Sequence, residues 1–304
     1  MTASSTRPGP APRAPRSTGA HAPAPTPALS APGAPSYHRL TGLTPVLSVR
    51  CAPPRRGGGW LPAADLVARP EAVRELITHD ARQGLARYGR PLRPDVAAGF
   101  GLHRFVWPVS LLFTLPWFLE RRVPLLALGD VSLRRRPGMV ELTVRTAEFA
   151  CLPDDPEAGS PQARTVPDEA ALAAGLRGAL GGFLDPVLAA FRPQARRGPR
   201  VLWAMTTDAV VEGLWYAGGL LGEAERACAE LSALLAPAEP ACAPGADGGP
   251  APAPSPFTPG AGFAPPAPGC DGAPRVERIR ASCCLVYTAE PQDMCTGCPR
   301  VTRG

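Results

Sequence analysis

The chain has 304 residues, room for one large or two modest domains, and 45% of them are hydrophobic, enough to supply a core. Its 41 Pro and 32 Gly accompany a basic set made only of Arg, a skew that GC-rich coding produces without any mechanism behind it. A net charge of +6 spread over dispersed Arg residues argues against a nucleic-acid groove and leaves a long-range preference for anionic ligands or redox partners.

Residues 1–36 are almost entirely Ala, Pro, Ser, Thr, Gly and Arg, too poor in apolar side chains to offset the entropy of folding, so a disordered arm is expected there. They lack the order of basic region, apolar stretch and small-residue cleavage site that marks a signal peptide. Nine cysteines without such a signal point to a reducing compartment, the cytoplasm, where grouped thiols bind metal more often than they form disulfides.

A body is expected over 37–235. From Pro62, apolar residues at helical spacing (Leu66, Val67, Val73, Leu76, Ile77) predict a helix to about Tyr88. Val96 to Leu119 predicts a second helical stretch, broken into pieces by Pro108 and Pro116; its most apolar part, Phe105 to Leu119, is too short and interrupted to span a bilayer. Leu125 to Leu133 and Met139 to Phe149 then read as a hairpin turning at Pro137-Gly138, with Val140, Leu142 and Val144 facing in and Glu141, Thr143 and Arg145 facing out. Helices follow over about Pro167 to Phe191 and Leu202 to Leu235, so the fold class is α+β: a helix-rich body with a small antiparallel sheet or hairpin. Residues 236–274 return to Ala, Pro and Gly and read as a linker, leaving 275–304 as a short C-terminal segment too small to fold without a metal or contact with the body.

That segment carries the chemistry. Cys283 and Cys284 are adjacent, ten residues follow, and then comes Cys295-Thr-Gly-Cys298-Pro. The Cys-x-x-Cys half lets two sulfurs face one metal, with Gly297 relaxing the turn. Side chains of an adjacent pair diverge, so Cys283 and Cys284 close poorly on one tetrahedral zinc and suit the wider target of a two-iron cluster; a structural zinc knot remains the alternative.

Adjacent cysteines, ten residues and Cys-x-x-Cys-Pro resemble the FhuF family of ferric-siderophore reductases, as do Arg280, Ser282, Leu285 and Tyr287 around the first pair. The resemblance implies a 2Fe-2S cluster on Cys283, Cys284, Cys295 and Cys298, a body similar to the C-terminal region of aerobactin-type siderophore synthetases, and one-electron reduction of siderophore-bound ferric iron. No Gly-rich dinucleotide fingerprint is visible, so an external donor, a ferredoxin- or flavin-type reductase, is expected. Peripheral association with the inner face of a membrane stays open. The competing function is a siderophore-binding or biosynthesis-related module in which the cysteines only staple the C-terminus.

Other residues carry blander expectations. Cys51, Cys151, Cys228 and Cys242 read as packing residues and Cys270 as a spare thiol. His103 beside Arg104 reads as structural, with contact to an anionic substrate as the alternative. His79 and Asp80 read as a solvated helix end, Arg134 to Arg136 as a solvated hairpin tip, and Trp107, Trp117, Trp203 and Trp215 as core. Arg280 is the charge expected to tune the cluster.

Overall fold

The structure, a computed structural model, describes residues 31–236, 255–264, 267–268, 274–292 and 298–299. The described residues fall in one compact unit, and residues 1–30 lie outside them. The element order is α1 (Ala34–Leu43), β1 (Leu47–Cys51), β2 (Trp60–Pro62), α2 (Ala63–Ala68), α3 (Pro70–Tyr88), α4 (Pro94–Glu120), β3 (Arg122–Pro124), β4 (Val131–Arg136), β5 (Met139–Val144), β6 (Phe149–Cys151), β7 (Ala163–Thr165), α5 (Glu169–Ala195), α6 (Pro199–Leu221), α7 (Ala224–Leu235), β8 (Gly262–Phe263), β9 (Ala267–Pro268), β10 (Pro274–Arg275) and β11 (Arg278–Ile279). This is a helix-rich α+β fold.

Helix α4 is the axis of the body, packed against α1, α3, α5 and α6. It is apolar all round, as a helix enclosed by neighbours must be. It is also continuous, so the expected break at its prolines does not occur. Proline removes an N–H and so frees the carbonyl four residues back, which for Pro116 is that of Leu112. The buried hydroxyl of Tyr37 on α1 donates to that Leu112 carbonyl at 2.6 Å, supplying the bond the proline cannot make. Gly33 lets α1 approach: its φ is +79°, and an added Cβ would lie 3.0 Å from both the Pro116 ring and the Tyr37 ring. Ordered structure thus begins inside the stretch expected to be disordered, with Ser36 buried and its N–H donating to Glu120 at 3.0 Å.

Two helices, Pro94–Glu120 and Glu169–Ala195, are long and apolar enough to cross a membrane by length and composition, against the shorter span read from the sequence; 78% of the apolar window in the first is buried inside the protein, the pattern of a core helix. The other long helical stretches are divided. Pro70 separates α2 from α3, and Gly222, in the left-handed region at φ 74°, separates α6 from α7.

Strands β4 and β5 form the expected hairpin, starting at Val131 rather than Leu125, with Val131 opposite Val144 and Arg136 opposite Met139. Two strands absent from the sequence reading complete the sheet in the order β1-β5-β4-β2, with β1 parallel to β5 and β2 antiparallel to β4. The inside-outside alternation of β5 fails because both faces are covered: Thr143 is buried and shares a 2.6 Å hydrogen bond with Ser132. Strands β3, β6 and β7 form a separate sheet.

Replacing Tyr37 with Phe keeps the ring and orphans the Leu112 carbonyl. The expected cost is about 1–3 kcal/mol in urea unfolding, and a loss below about 0.5 kcal/mol would show that the carbonyl finds another donor.

Candidate metal centre and adjoining cleft

Helix α6 is apolar over most of its surface, which makes its two carboxylates conspicuous: Asp208 and Glu212 lie one turn apart on one face. Asp208 is 1% exposed, and everything it accepts comes from the segment leading into the cysteine pair. One carboxylate oxygen takes the Ala281 N–H at 2.9 Å; the other takes the Ser282 N–H at 2.8 Å and the Ser282 hydroxyl at 2.5 Å. The Arg280 guanidinium lies 3.9 Å from the same carboxylate. A buried anion satisfied this way holds Ala281 and Ser282 in one register against α6.

Glu212 fixes the strand before them. Arg278 of β11 donates to it at 2.7 Å, and the His103 ring of α4 lies 3.4 Å from the same oxygen. Burial pushes the Glu212 carboxyl up, but His103 and Arg278 outweigh it and hold the pKa at about 2. Strand β11 pairs in turn with β8, so part of the stretch read as a linker is docked. Its two large apolar side chains do this: Phe257 meets Trp203 with ring centroids 6.5 Å apart, and Phe263 meets Trp215 at 5.9 Å.

After Ser282 the adjacent cysteines diverge, as expected of neighbouring side chains. Cys283 packs against a small apolar cluster of Leu92, Val96, Ala97, Leu285 and Ala289. Cys284 lines a cavity of about 370 Å³ whose walls include Phe100, His103, Arg104, Glu212 and Arg280. Leu285, at φ 62°, adopts a left-handed conformation unfavourable for its side chain and turns the chain directly after the pair. Cys298 is 4% exposed, whereas Cys295 lies outside the described residues, as do Cys242 and Cys270. Among the described residues no three of His, Cys, Asp and Glu are gathered as a metal site. Cys151 and Cys228 are buried as packing residues, and Cys51 is exposed.

A second cavity of about 390 Å³ shares His103, Arg104 and Glu212 with the first and extends to Trp107, Arg135 and Arg136. Two sequence expectations are corrected here. Asp80 is fully buried rather than solvated, bridging Arg104 and the Arg135 guanidinium, the latter at 2.6 Å. The arginine run at the hairpin is likewise paired: Glu141 accepts from Arg134 at 2.6 Å and from Arg136 at 2.8 Å, which with burial opposing holds its pKa at about 2. His103 faces Glu212 and the cleft. Trp117 is core, and Trp107, Trp203 and Trp215 are partly buried against it.

The sequence reading missed Asp208, Glu212 and Arg278. Asp208 and Glu212 were detectable as two carboxylates four apart in an otherwise apolar helix, a placement costly without partners; Arg278, one Arg among many, carried no such mark.

Asp208→Asn turns an amide N–H toward the Ser282 donors. The Ala281 and Ser282 amides are then expected to lose at least about tenfold of their protection from hydrogen exchange, while α4 amides keep theirs. Glu212 has its own pH signature. A depressed carboxyl contributes stability that is complete above its unfolded pKa and is lost as pH falls through its folded one. The stability gap between wild type and Glu212→Gln should therefore close as pH falls from about 5 toward about 2. A gap independent of pH would place the role of Glu212 in packing.

Residues 280–300 match the family model described as the FhuF 2Fe-2S C-terminal domain. No curated protein matches the chain. The donor chemistry fits that cofactor: soft thiols are concentrated in one segment, with Cys298 buried and outside any disulfide, and thiolates are the usual ligands of iron–sulfur clusters. The C-terminal segment anchored by Asp208 accordingly resembles an FhuF-type 2Fe-2S domain over residues 280–300.

Proposed function

We propose that the protein is a ferric-siderophore reductase, with Cys283, Cys284, Cys295 and Cys298 holding the 2Fe-2S cluster and siderophore-bound ferric iron as its substrate. The observation that carries the reading is Cys284 on the wall of a cavity large enough for a small-molecule chelate. When bound, the cluster supplies electrons one at a time, at a potential set by charge, sulfur hydrogen bonds and exposure. The electron comes from a ferredoxin- or flavin-type donor protein, and the product is ferrous iron, which hydroxamate, catecholate and carboxylate oxygens hold far more weakly than ferric iron.

The protein's own residues do the positioning. Asp208 fixes Ala281 and Ser282, and with them the direction in which Cys283 and Cys284 leave the backbone. Leu92, Val96, Ala97 and Leu285 shield the Cys283 side from water. Arg280, with only 11% of its side chain exposed, places positive charge at the cavity wall near Cys284, a placement that favours the reduced, more negative state of a neighbouring redox centre. The setting proposed is the cytoplasm, where thiols stay reduced, with peripheral attachment to the inner membrane face beside the uptake machinery.

Protein purified without oxygen should contain two irons and two sulfides per chain and develop an EPR signal on reduction with dithionite. Each Cys→Ser change at 283, 284, 295 and 298 should abolish or reshape that signal and lower ferric-siderophore reduction at least about tenfold, followed with a chromogenic ferrous chelator. A full complement of cluster that reduces no ferric siderophore would overturn the reductase reading; a colourless protein with one zinc would overturn the cluster as well and leave a structural knot.

A further inference from the structure

Outside both cavities, the turn between α5 and α6 carries an open depression lined by Ala189, Arg192, Pro193, Arg196, Arg197 and Gly198. The chain is one-sided here: residues 186–207 contain four Arg, at 192, 196, 197 and 200, and no Asp or Glu. Arg192, Arg196 and Arg200 are exposed and make no ion pair among the described residues. Two carboxylates border them. Asp95, in the first turn of α4, lies 2.9 Å from Arg93 and 3.9 Å from Arg197, and Asp185 accepts the Trp203 indole N–H at 2.8 Å. With Arg93 counted, five guanidiniums thus stand against these two carboxylates. Glu290, Cys283, Cys284 and Cys298 belong to the C-terminal segment and do not line the depression. Arg192, in the last turn of α5, has the ordinary placement of a cation at a helix end. Arg200 does not. It sits in the first turn of α6, where the helix dipole is positive, with no acidic residue in that turn and no side-chain cap at Gly198. A cation placed there costs stability, a cost that an approaching anion offsets.

We propose that this face is the docking surface for the electron donor, an acidic one-electron carrier protein of ferredoxin type, a role that rests on the reductase reading above. Position favours it. Arg197 reaches Asp95, and the next residue, Val96, joins Leu92 and Ala97 in the apolar cluster against which Cys283 packs, so the patch borders the wall beside the first cysteine. Chemistry favours it too. Guanidiniums donate in pairs to carboxylates, and exposed Pro193, Pro199 and Val201 among the arginines supply apolar contact area. Small, charge-rimmed surfaces suit transient electron-transfer encounters, in which electrostatics raises the association rate more than the affinity. An anionic lipid surface would meet the same charges, but Val201 is the only large exposed apolar side chain over 186–207, too little to insert into a bilayer. The step served moves one electron and breaks no bond: the donor is oxidised by one electron, the cluster is reduced by one, and ferric iron then takes that electron.

The full-length protein, with its cluster, is mixed with an acidic plant-type 2Fe-2S ferredoxin. Excess oxidised ferredoxin should protect residues 192–201 from hydrogen exchange, and stopped-flow mixing with reduced ferredoxin should give cluster reduction that slows steeply as salt is raised. Arg196→Gln/Arg200→Gln should slow that reduction at least about fivefold at low ionic strength and leave the dithionite-reduced EPR signal intact. The control pair Arg39→Gln/Arg50→Gln removes the same charge from exposed positions on α1, which bonds to Glu120 at the far end of α4, and on the adjoining β1; it should change the rate less than about twofold. Arg200→Glu should slow reduction further while raising the melting temperature, because an acid suits a helix N-terminus, which separates lost docking from lost folding. Equal slowing by the two pairs, or protection that misses 192–201, overturns the docking face. So does an Arg196→Gln/Arg200→Gln protein that loses attachment to phosphatidylserine-containing vesicles with its ferredoxin rate unchanged, which assigns the face to a membrane. If the cluster takes electrons through this face but no ferric siderophore is reduced, the face stands and the reductase reading falls; if ferredoxin drives ferric-siderophore reduction by Arg196→Gln/Arg200→Gln at the wild-type rate, the reading stands and the face falls.

Discussion

A single buried carboxylate joins the C-terminal cysteine segment to the body. Asp208 sits in the middle of an apolar helix, where an ionised group is costly, and that cost is offset only because Ala281 and Ser282 bring two N–H groups and a hydroxyl to it. The dependence runs both ways. Without the segment the helix would hold an unsatisfied charge; without the charge the segment would keep few fixed contacts before the cysteines, since β11 contributes only a two-residue pairing with β8. Arg278 on Glu212, one turn along, sets the register of the same stretch, so two carboxylates on α6 position about five consecutive residues ahead of Cys283.

Helix α6 packs against α4, and α4 presents a problem the fold solves locally. A long apolar helix with two internal prolines forfeits backbone hydrogen bonds in a place water does not reach. Tyr37 repairs one of these losses, which explains why a short helix so near the poorly apolar N-terminal stretch is ordered at all: its tyrosine hydroxyl is needed by the core, and Gly33 lets it reach. Residues that position the metal segment and residues that stabilise the body are therefore linked through α4, which carries Phe100, His103 and Arg104 of the cleft on one side and core-facing Phe105, Leu112 and Phe113 on the other.

Much of this was legible in the sequence where the signal is local. The cysteine spacing identified the segment that matches the 2Fe-2S domain, and the apolar periodicity gave the helices and the β4–β5 hairpin. What escaped depends on partners distant in the chain. Asp80 looks like a solvated helix end until Arg135, 55 residues on, closes over it. Pro108 and Pro116 look like breakers because nothing local announces that Tyr37 donates to Leu112. Strand β1 has only five residues, and its strand character comes from its parallel neighbour β5. Residues 236–274 read as a uniform linker because Pro and Ala dominate, whereas Phe257 and Phe263 alone are enough to dock part of it against the tryptophans of α6.

The absence of lysine also has a structural consequence. Every side-chain cation apart from histidine is a guanidinium, whose planar fork lets two of them share one carboxylate, as Arg56 and Arg69 do on Asp65, and Arg121 and Arg226 on Glu230. The pattern repeats at Asp80 and Glu141, the carboxylates behind the cleft. At Asp80 and Glu141 each carboxylate meets two guanidiniums, so a compositional skew with no functional origin still shapes the electrostatics beside the cleft.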